Sequence, residues 1–216
     1  MKKVLSRYKY HWNQKEFRIS CLLGISFFAL SLFISHQASN YADVRASNYV
    51  TDILLDNLPT FDVDGILNYG VIVFSLLVIY LLVTEPKKIP FTLKSLALFI
   101  IIRSAFVTLT HLGPVPAETS INPNDLLSRL IIGRDYFFSG HTGMPFLIAL
   151  IFWKDKIARY ISIAMSLLFG TSVILGHLHY SIDVFAAFFI TYSIFRIAVR
   201  AFSPDHNLWH KTENFS

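Results

Sequence analysis

The segment "SGHTGMPFLIALIFW", residues 139–153, places a serine and a histidine directly before an apolar run. A second segment, "HLHYSIDVFAAFFI", residues 177–190, repeats this arrangement with His179 and Asp183 near its start. Ionisable side chains are rare at membrane depth, and function is their default explanation. The two entry points are therefore predicted to face each other across one site.

The rest of the chain predicts an integral membrane protein. Hydrophobic residues make up 54% of its 216 residues and charged residues only 15%, which is too apolar for a soluble domain. A spanning helix needs about 20 mostly apolar residues. Six runs approach that length: 19–35, 66–84, 91–110, 136–153, 157–175 and 183–199. The predicted fold class is all-α, a polytopic bundle of six transmembrane helices.

The chain is predicted to form one domain. A basic N-terminus covers residues 1–18, the six-span domain residues 19–200 and a tail residues 201–216. The fourth run reaches spanning length only if the turn before it already lies within the membrane boundary. The first run is predicted to be a retained anchor, because its basic flank is long for a cleaved signal peptide. Cys21 is the only cysteine, so an internal disulfide and a cysteine zinc cage are excluded.

Lysine and arginine are distributed unevenly between alternate loops. They crowd the N-terminus, the second and fourth loops and the tail, whereas the opposite side has only Arg45, Arg129 and Arg134. Cytoplasmic loops accumulate these residues, so both termini are predicted to be cytoplasmic. The polar clusters then lie on the periplasmic, extracellular or luminal face. The net charge of +5 is explained by this topology and does not indicate nucleic-acid binding.

The spacing of the polar residues suggests phosphoryl transfer. His179 and Asp183 are four residues apart, so they share a face if a helix begins by Tyr180, and the carboxylate can then orient the imidazole. His141 comes from another helix and could act as an acid toward a leaving alcohol. The fourth and sixth helices both begin at these clusters, and helix N-termini attract phosphate.

These residues resemble a known family. "SGHT" followed about 38 residues later by "HYSIDV" is similar to the type 2 phosphatidic acid phosphatase superfamily, and more narrowly to the sphingomyelin synthases. The synthase motifs have the form C-G-D-x3-S-G-H-T and H-Y-T-x-D-V. Asp135 matches the aspartate of the first motif, and "RSAFVTLTHLGPVP", from Arg103, resembles the third-span region of the synthases.

The resemblance implies specific roles. His179 would be the nucleophile that forms a phosphohistidine, Asp183 its orienting partner and His141 the acid toward the leaving alcohol. The donor would be a phospholipid and the acceptor a lipid alcohol such as ceramide, without a metal or another cofactor. The candidates for phosphate and substrate binding are Arg103, Arg134, Asp135, Ser139, Gly140, Thr142 and Tyr180.

The chain departs from both branches of the superfamily. The phosphatases carry K-x6-R-P, but here eight residues separate Lys94 from Arg103, and Val173 stands at the position of a further arginine. These differences favour a transferase over a phosphatase. Arg134 replaces the glycine of the synthases' C-G-D and could supply phosphate-binding charge.

Alternatives remain open at this point. A lipid phosphate phosphatase would use the same residues with water as acceptor. An intramembrane serine protease would pair Ser139 with His179, and a non-catalytic subunit would use the polar cluster only for packing. A metal site would draw on His141, His177, His179 and Asp183, although histidines two apart suit a helix poorly.

Four residues also have simpler explanations. Asp135 could only cap the fourth helix, and Arg103 could only extend to the membrane interface. His177 is predicted to cap or pack, because it cannot share a helical face with His179. His111 is predicted to lie in a loop or at the interface.

Overall fold

The computed structural model describes residues 2–113, 115 and 137–208. Within these residues all regular secondary structure is helical, as predicted. The α-helices are α1 (Lys2–Trp12), α2 (Lys15–Arg45), α3 (Asp64–Thr84), α4 (Ile89–Leu109), α5 (Gly140–Ile151), α6 (Lys156–Leu175), α7 (Ser181–Ala201) and α8 (Ser203–Leu208). Single turns of 3-10 helix cover Leu55–Asn57 and Pro86–Lys88.

In the described part of the chain, five helices are long and apolar enough to cross a membrane, namely α2, α3, α4, α6 and α7. Much of their surface is apolar and exposed, which suits contact with lipid.

The fourth predicted span is shorter than expected. Helix α5 has 12 residues, about 18 Å at 1.5 Å per residue, against a hydrocarbon core of about 30 Å. It begins at Gly140 because Ser139 caps it, and it ends at Ile151.

The bundle is organised around α5, which packs against α4, α6 and α7. Its core is strongly aromatic, with fully buried Phe91, Phe99, Phe138, Phe152 and Phe169. Helix α2 lies along α4 on one side, and α3 packs on α6 on the other.

The two chain ends meet at the same end of the bundle. Lys94, near the start of α4, forms a 2.6 Å ion pair with Asp205 of α8, and both side chains are largely buried. Ser20, near the start of α2, donates to the other oxygen of Asp205. Helices α2, α4 and α8 are therefore joined at this end of the bundle. We call the opposite end, where α5 and α7 begin, the site end.

Candidate active site

The second motif lies at the turn into α7. Tyr180 is the N-cap residue, so His179 precedes the helix instead of lying on it as predicted. Asp183, in the first turn, reaches back: its Oδ2 accepts a hydrogen bond from the Tyr180 N–H at 3.2 Å and lies 3.2 Å from Nδ1 of His179. The expected histidine–carboxylate contact is therefore present, but it arises from capping geometry and not from a shared helical face.

The pair is deeply buried. His179 is 1% exposed and Asp183 is 2% exposed, so the contact is shielded from solvent. The backbone N–H of His179 points to the carbonyl of Val173 at 3.3 Å, which ties the turn to the end of α6. Buried ionisable groups require partners, and here each supplies one to the other.

The first motif caps α5. Ser139 is the N-cap residue, and its Oγ accepts hydrogen bonds from the backbone N–H and the hydroxyl of Thr142 at 3.4 and 3.2 Å. His141 lies in the first turn, half-buried, with its ring edge-on to Phe169 of α6 at 6.4 Å between centroids. The hydroxyl of Ser139 thus serves the helix cap, and it bonds to Thr142 and not to a histidine.

The two motifs are in direct contact. The Ser139 N–H donates to the carbonyl of Asp183 at 3.1 Å, which joins the N-cap of α5 to the first turn of α7. Gly170 of α6 allows this approach, since a Cβ there would lie 3.1 Å from Oγ1 of Thr142 and 3.1 Å from Cγ1 of Val184. Residues 42 positions apart in sequence, His141 and Asp183, thus belong to adjoining helical turns at the site end.

Arg103 of α4 lies at the same place. It is 9% exposed, and its Nε donates to the carbonyl of Phe138 at 2.9 Å. A Cβ on Gly140 would lie 3.4 Å from this Nε, which is ordinary contact distance, so the guanidinium lies against the start of α5. Extension of Arg103 to the membrane interface is excluded by this burial. The packing of Phe99 and Phe106 on Phe138 holds the segment in position.

The loop between α2 and α3 contributes a residue that the sequence reasoning missed. Asp52 accepts a hydrogen bond from the Ser181 N–H, the first residue of α7, at 2.7 Å. Burial disfavours ionisation of Asp52, but hydrogen bonds from the N–H and hydroxyl of Ser181 and from the N–H groups of Leu54 and Leu55 outweigh it and hold the pKa of this carboxyl below its usual value. In the sequence, Asp52 belongs to neither histidine motif, so nothing in the pattern of residues singled it out.

Tyr180, a predicted substrate-binding residue, joins loops. Its hydroxyl donates to the carbonyl of Gly113 at 3.1 Å and accepts from the Val50 N–H at 3.2 Å. Its ring packs with Leu55 and Val115 in a small apolar cluster. A role for Tyr180 in substrate binding stays a prediction.

The remaining predicted residues fall into three groups. Thr142 is fully buried near the site, and its carbonyl accepts from the Ser166 hydroxyl at 2.7 Å. His177 is buried, with a left-handed backbone φ of 52°, whereas His111 is exposed in a loop. Arg134 and Asp135 lie outside the described residues, so their predicted roles are not tested. The N-cap of α5 is Ser139.

The two positions that differ from the phosphatase pattern supply no side-chain charge to the site. Lys94 sits at the opposite end of α4 from Arg103 and pairs with Asp205. Val173 is fully buried in the apolar core. Among the described residues there is no group of three or more histidine, cysteine or acidic side chains that could hold a metal. The prediction of a metal-free and cofactor-free site stays a prediction.

Comparison with known families gives one result. Residues 134–200 match the family PAP2 superfamily C-terminal. The match covers both histidine motifs and supports the type 2 phosphatidic acid phosphatase superfamily, whose members are lipid phosphatases or phosphotransferases. Within the PAP2 segment lie α5, α6 and α7, the helices that carry His141, His179 and Asp183. No curated protein and no solved structure gives a significant match.

Proposed function

We propose that this chain transfers a phospho-headgroup from a phospholipid to a second lipid alcohol through a phosphohistidine at His179. The observation that carries the proposal is the contact between the two motifs: Ser139, two residues before His141, bonds to Asp183, which in turn contacts His179. The buried Asp183 carboxylate favours the imidazole tautomer with hydrogen on Nδ1. In that tautomer the lone pair is on Nε2, which is the nucleophilic atom.

The reaction has two in-line steps. In the first, Nε2 of His179 attacks phosphorus, the bond to the diacylglycerol oxygen breaks, and protonated His141 gives its proton to that oxygen. In the second, the acceptor hydroxyl attacks phosphorus, the N–P bond breaks, and His141 takes the hydroxyl proton. Asp183 stabilises the charge that develops on the imidazole of His179.

The arrangement of charge favours one side of the site for phosphate. At the start of α7, carboxylates already accept from Tyr180 and Ser181 N–H groups. At the start of α5, the guanidinium of Arg103 lies beside Gly140. A phosphate is therefore expected to bind between Arg103 and the first turn of α5. Thr142, Arg134, Asp135 and Tyr180 complete the set of proposed binding residues.

The second candidate is a lipid phosphate phosphatase, in which water replaces the acceptor alcohol. The same histidines would serve it, and the PAP2 match supports both reactions equally. Resemblance to the sphingomyelin synthases and the absence of the phosphatase arginine at Val173 favour the transferase. A serine protease is disfavoured because the Ser139 hydroxyl is bonded to Thr142.

The deciding experiment incubates purified protein with headgroup-labelled phospholipid, with and without ceramide, and separates the products. Labelled sphingolipid identifies a transferase, whereas free phosphorylated headgroup or orthophosphate alone identifies a hydrolase. His179→Ala should abolish both products, and His141→Ala should lower the rate by on the order of 10² to 10⁴. His111→Ala, in an exposed loop, is the control and should keep full activity. Full activity in His179→Ala would refute the mechanism.

A further inference from the structure

Asp52 connects the loop between α2 and α3 to the start of α7. Its Oδ2 accepts from the Ser181 N–H at 2.7 Å, and its Oδ1 accepts from the Leu54 and Leu55 N–H groups at 2.9 and 3.3 Å. Oδ2 therefore bonds to the start of α7, and Oδ1 bonds to the backbone of the loop itself. Asp52 is only 9% exposed although it lies in a connecting loop.

The helix end held by Asp52 is the one that orients His179. Ser181 follows Tyr180, whose N–H shares Oδ2 of Asp183 with Nδ1 of His179. A shift of the first turn of α7 would move the Tyr180 N–H and Asp183 together, and with them the imidazole. Displacements of about 1 Å in a reacting group can lower a rate on the order of 10²-fold.

We propose that Asp52 is a positioning residue: it fixes the first turn of α7 and thereby keeps the Asp183–His179 pair in its reactive orientation. This inference rests on the function proposed above. The carboxylate also occupies the positive end of α7, which leaves the start of α5 and Arg103 as the place for the phosphate.

Asparagine is a sharp probe of this role because it has nearly the same shape. Its side chain has one acceptor oxygen where Asp52 uses two, so its amino group must face either the Ser181 N–H or the Leu54 and Leu55 N–H groups. Either choice places donor against donor and breaks one half of the connection. Asp62 of the same loop is exposed and, among the described residues, accepts from the Asp64 N–H alone, so Asp62→Asn is the matched control.

A second pair of variants removes the same hydrogen bond from the other side. Ser181 is the first residue of α7, a position where proline is well tolerated, and the extended backbone of Tyr180 suits a following proline. Ser181→Pro therefore removes the N–H that Asp52 accepts while the charge of Asp52 stays. Ser181→Ala keeps that N–H but removes the Ser181 hydroxyl, which also hydrogen-bonds to Asp52, so the difference between Ser181→Pro and Ser181→Ala isolates the N–H.

The experiment measures kcat, the folded fraction and the pH profile of kcat/KM for the four variants. We expect Asp52→Asn and Ser181→Pro to lower kcat per folded protein by about 10- to 100-fold. Looser contact with Asp183 lowers the basicity of His179, so the acid limb of the profile should move to lower pH in both variants. Asp62→Asn should match the wild type, and Ser181→Ala should lower kcat less than Ser181→Pro does. The other charged groups near the pair, His141 and Arg103, are the same in all four proteins.

Two results would overturn the proposal. One is a kcat and acid limb in Asp52→Asn that equal those of Asp62→Asn. The other is a fall in kcat that only follows the folded fraction, with an unmoved acid limb, in both Asp52→Asn and Ser181→Pro. His179→Ala is assayed in parallel. If it stays active the proposed function fails, whereas an inactive His179→Ala beside a fully active Asp52→Asn rejects only the role of Asp52.

Discussion

At the scale of single residues, the site depends on one carboxylate that performs two tasks. Oδ2 of Asp183 accepts from the Tyr180 N–H, which caps α7, and it contacts Nδ1 of His179. The same oxygen therefore fixes the helix start and the imidazole. This explains how His179 can be oriented by Asp183 from a position outside the helix.

Asp183→Asn should separate these two tasks. The amide oxygen can still accept from the Tyr180 N–H, so we expect the variant to fold. The neutral amide no longer stabilises the positive charge that develops on the imidazole of His179, and kcat should fall on the order of 10⁴-fold, as when the orienting aspartate of a catalytic triad becomes asparagine. Turnover and thermal unfolding in detergent are measured together. A variant that retains more than about a tenth of wild-type kcat would contradict the orienting role.

At the scale of elements, close approach of helices brings the two motifs together. Gly143 of α5 faces Phe99 of α4 and Thr191 of α7, and a Cβ there would lie 2.7 Å from Cζ of Phe99 and 2.8 Å from Oγ1 of Thr191. A side chain cannot enter this space without moving a buried ring or a helix. The small residue thus sets the spacing of α4, α5 and α7 just below the site.

Gly143→Ala should therefore destabilise the bundle by about 1–3 kcal/mol through overpacking. It should also lower kcat, because α5 carries His141 and Ser139. Gly65→Ala is the control: it lies in the first turn of α3, where a Cβ would meet no atom within 4 Å. That change should be neutral or slightly stabilising. Equal melting temperatures of the two variants in detergent would show that the approach of α5 to α4 is not tight.

The contact between the loop and α7 should depend on pH. The pKa of Asp52 is lowered on folding, so its stabilising effect is full above its unfolded value of about 3.9 and is lost as pH falls through the lower folded value. Wild type should thus melt at a higher temperature than Asp52→Asn at pH 6, and the difference should shrink below about pH 4. Thermal unfolding between pH 6 and 3 measures it. A difference that is constant with pH would contradict the ionised state of Asp52.

At the scale of the whole molecule, the two ends of the bundle have different tasks. The end that holds Lys94, Ser20 and Asp205 joins α4 to α8 by a buried ion pair and α2 to α8 by a hydrogen bond. The site end carries the histidines, and hydrogen bonds of Asp52 and Tyr180 join the neighbouring loops to the start of α7. The excess of lysine and arginine on the side of the chain ends leads us to propose that the site faces away from the cytoplasm.

Labelling with a membrane-impermeant maleimide tests this orientation. In a Cys21→Ser background, Tyr49→Cys lies in the exposed loop at the site end, and Ser6→Cys lies in the N-terminal helix. If the protein lies in the plasma membrane, we expect the reagent to label residue 49 in intact cells. If it lies in an internal membrane, we expect label at residue 49 of sealed vesicles after permeabilisation. Residue 6 should react only from the cytoplasmic side. The reverse pattern would invert the proposed topology.

Much of the fold follows from the sequence for a simple reason. The apolar runs give the positions of the spanning helices, because helices are the means by which a chain satisfies its backbone in lipid. The spacing of His179 and Asp183 also predicts their contact, because residues four positions apart at a helix start are close in space. The short α5 was harder to predict. The apolar residues before Ser139 suggest a longer helix, but the side chain of Ser139 caps the helix, which therefore begins at Gly140.

The sequence by itself therefore determined the class of fold and the positions of the five long apolar helices, and it led to the prediction of phosphoryl transfer by the two histidine motifs. Only the tertiary structure decided which groups surround them. Asp52 lies 129 residues from Ser181 in the chain, and Arg103 lies 35 residues from Phe138, yet each pair is joined by a hydrogen bond. Periodicity and spacing report neighbours within one helix, whereas these contacts depend on how separate helices and loops pack. The physical reason is that a buried donor takes whichever acceptor the packed chain brings within reach.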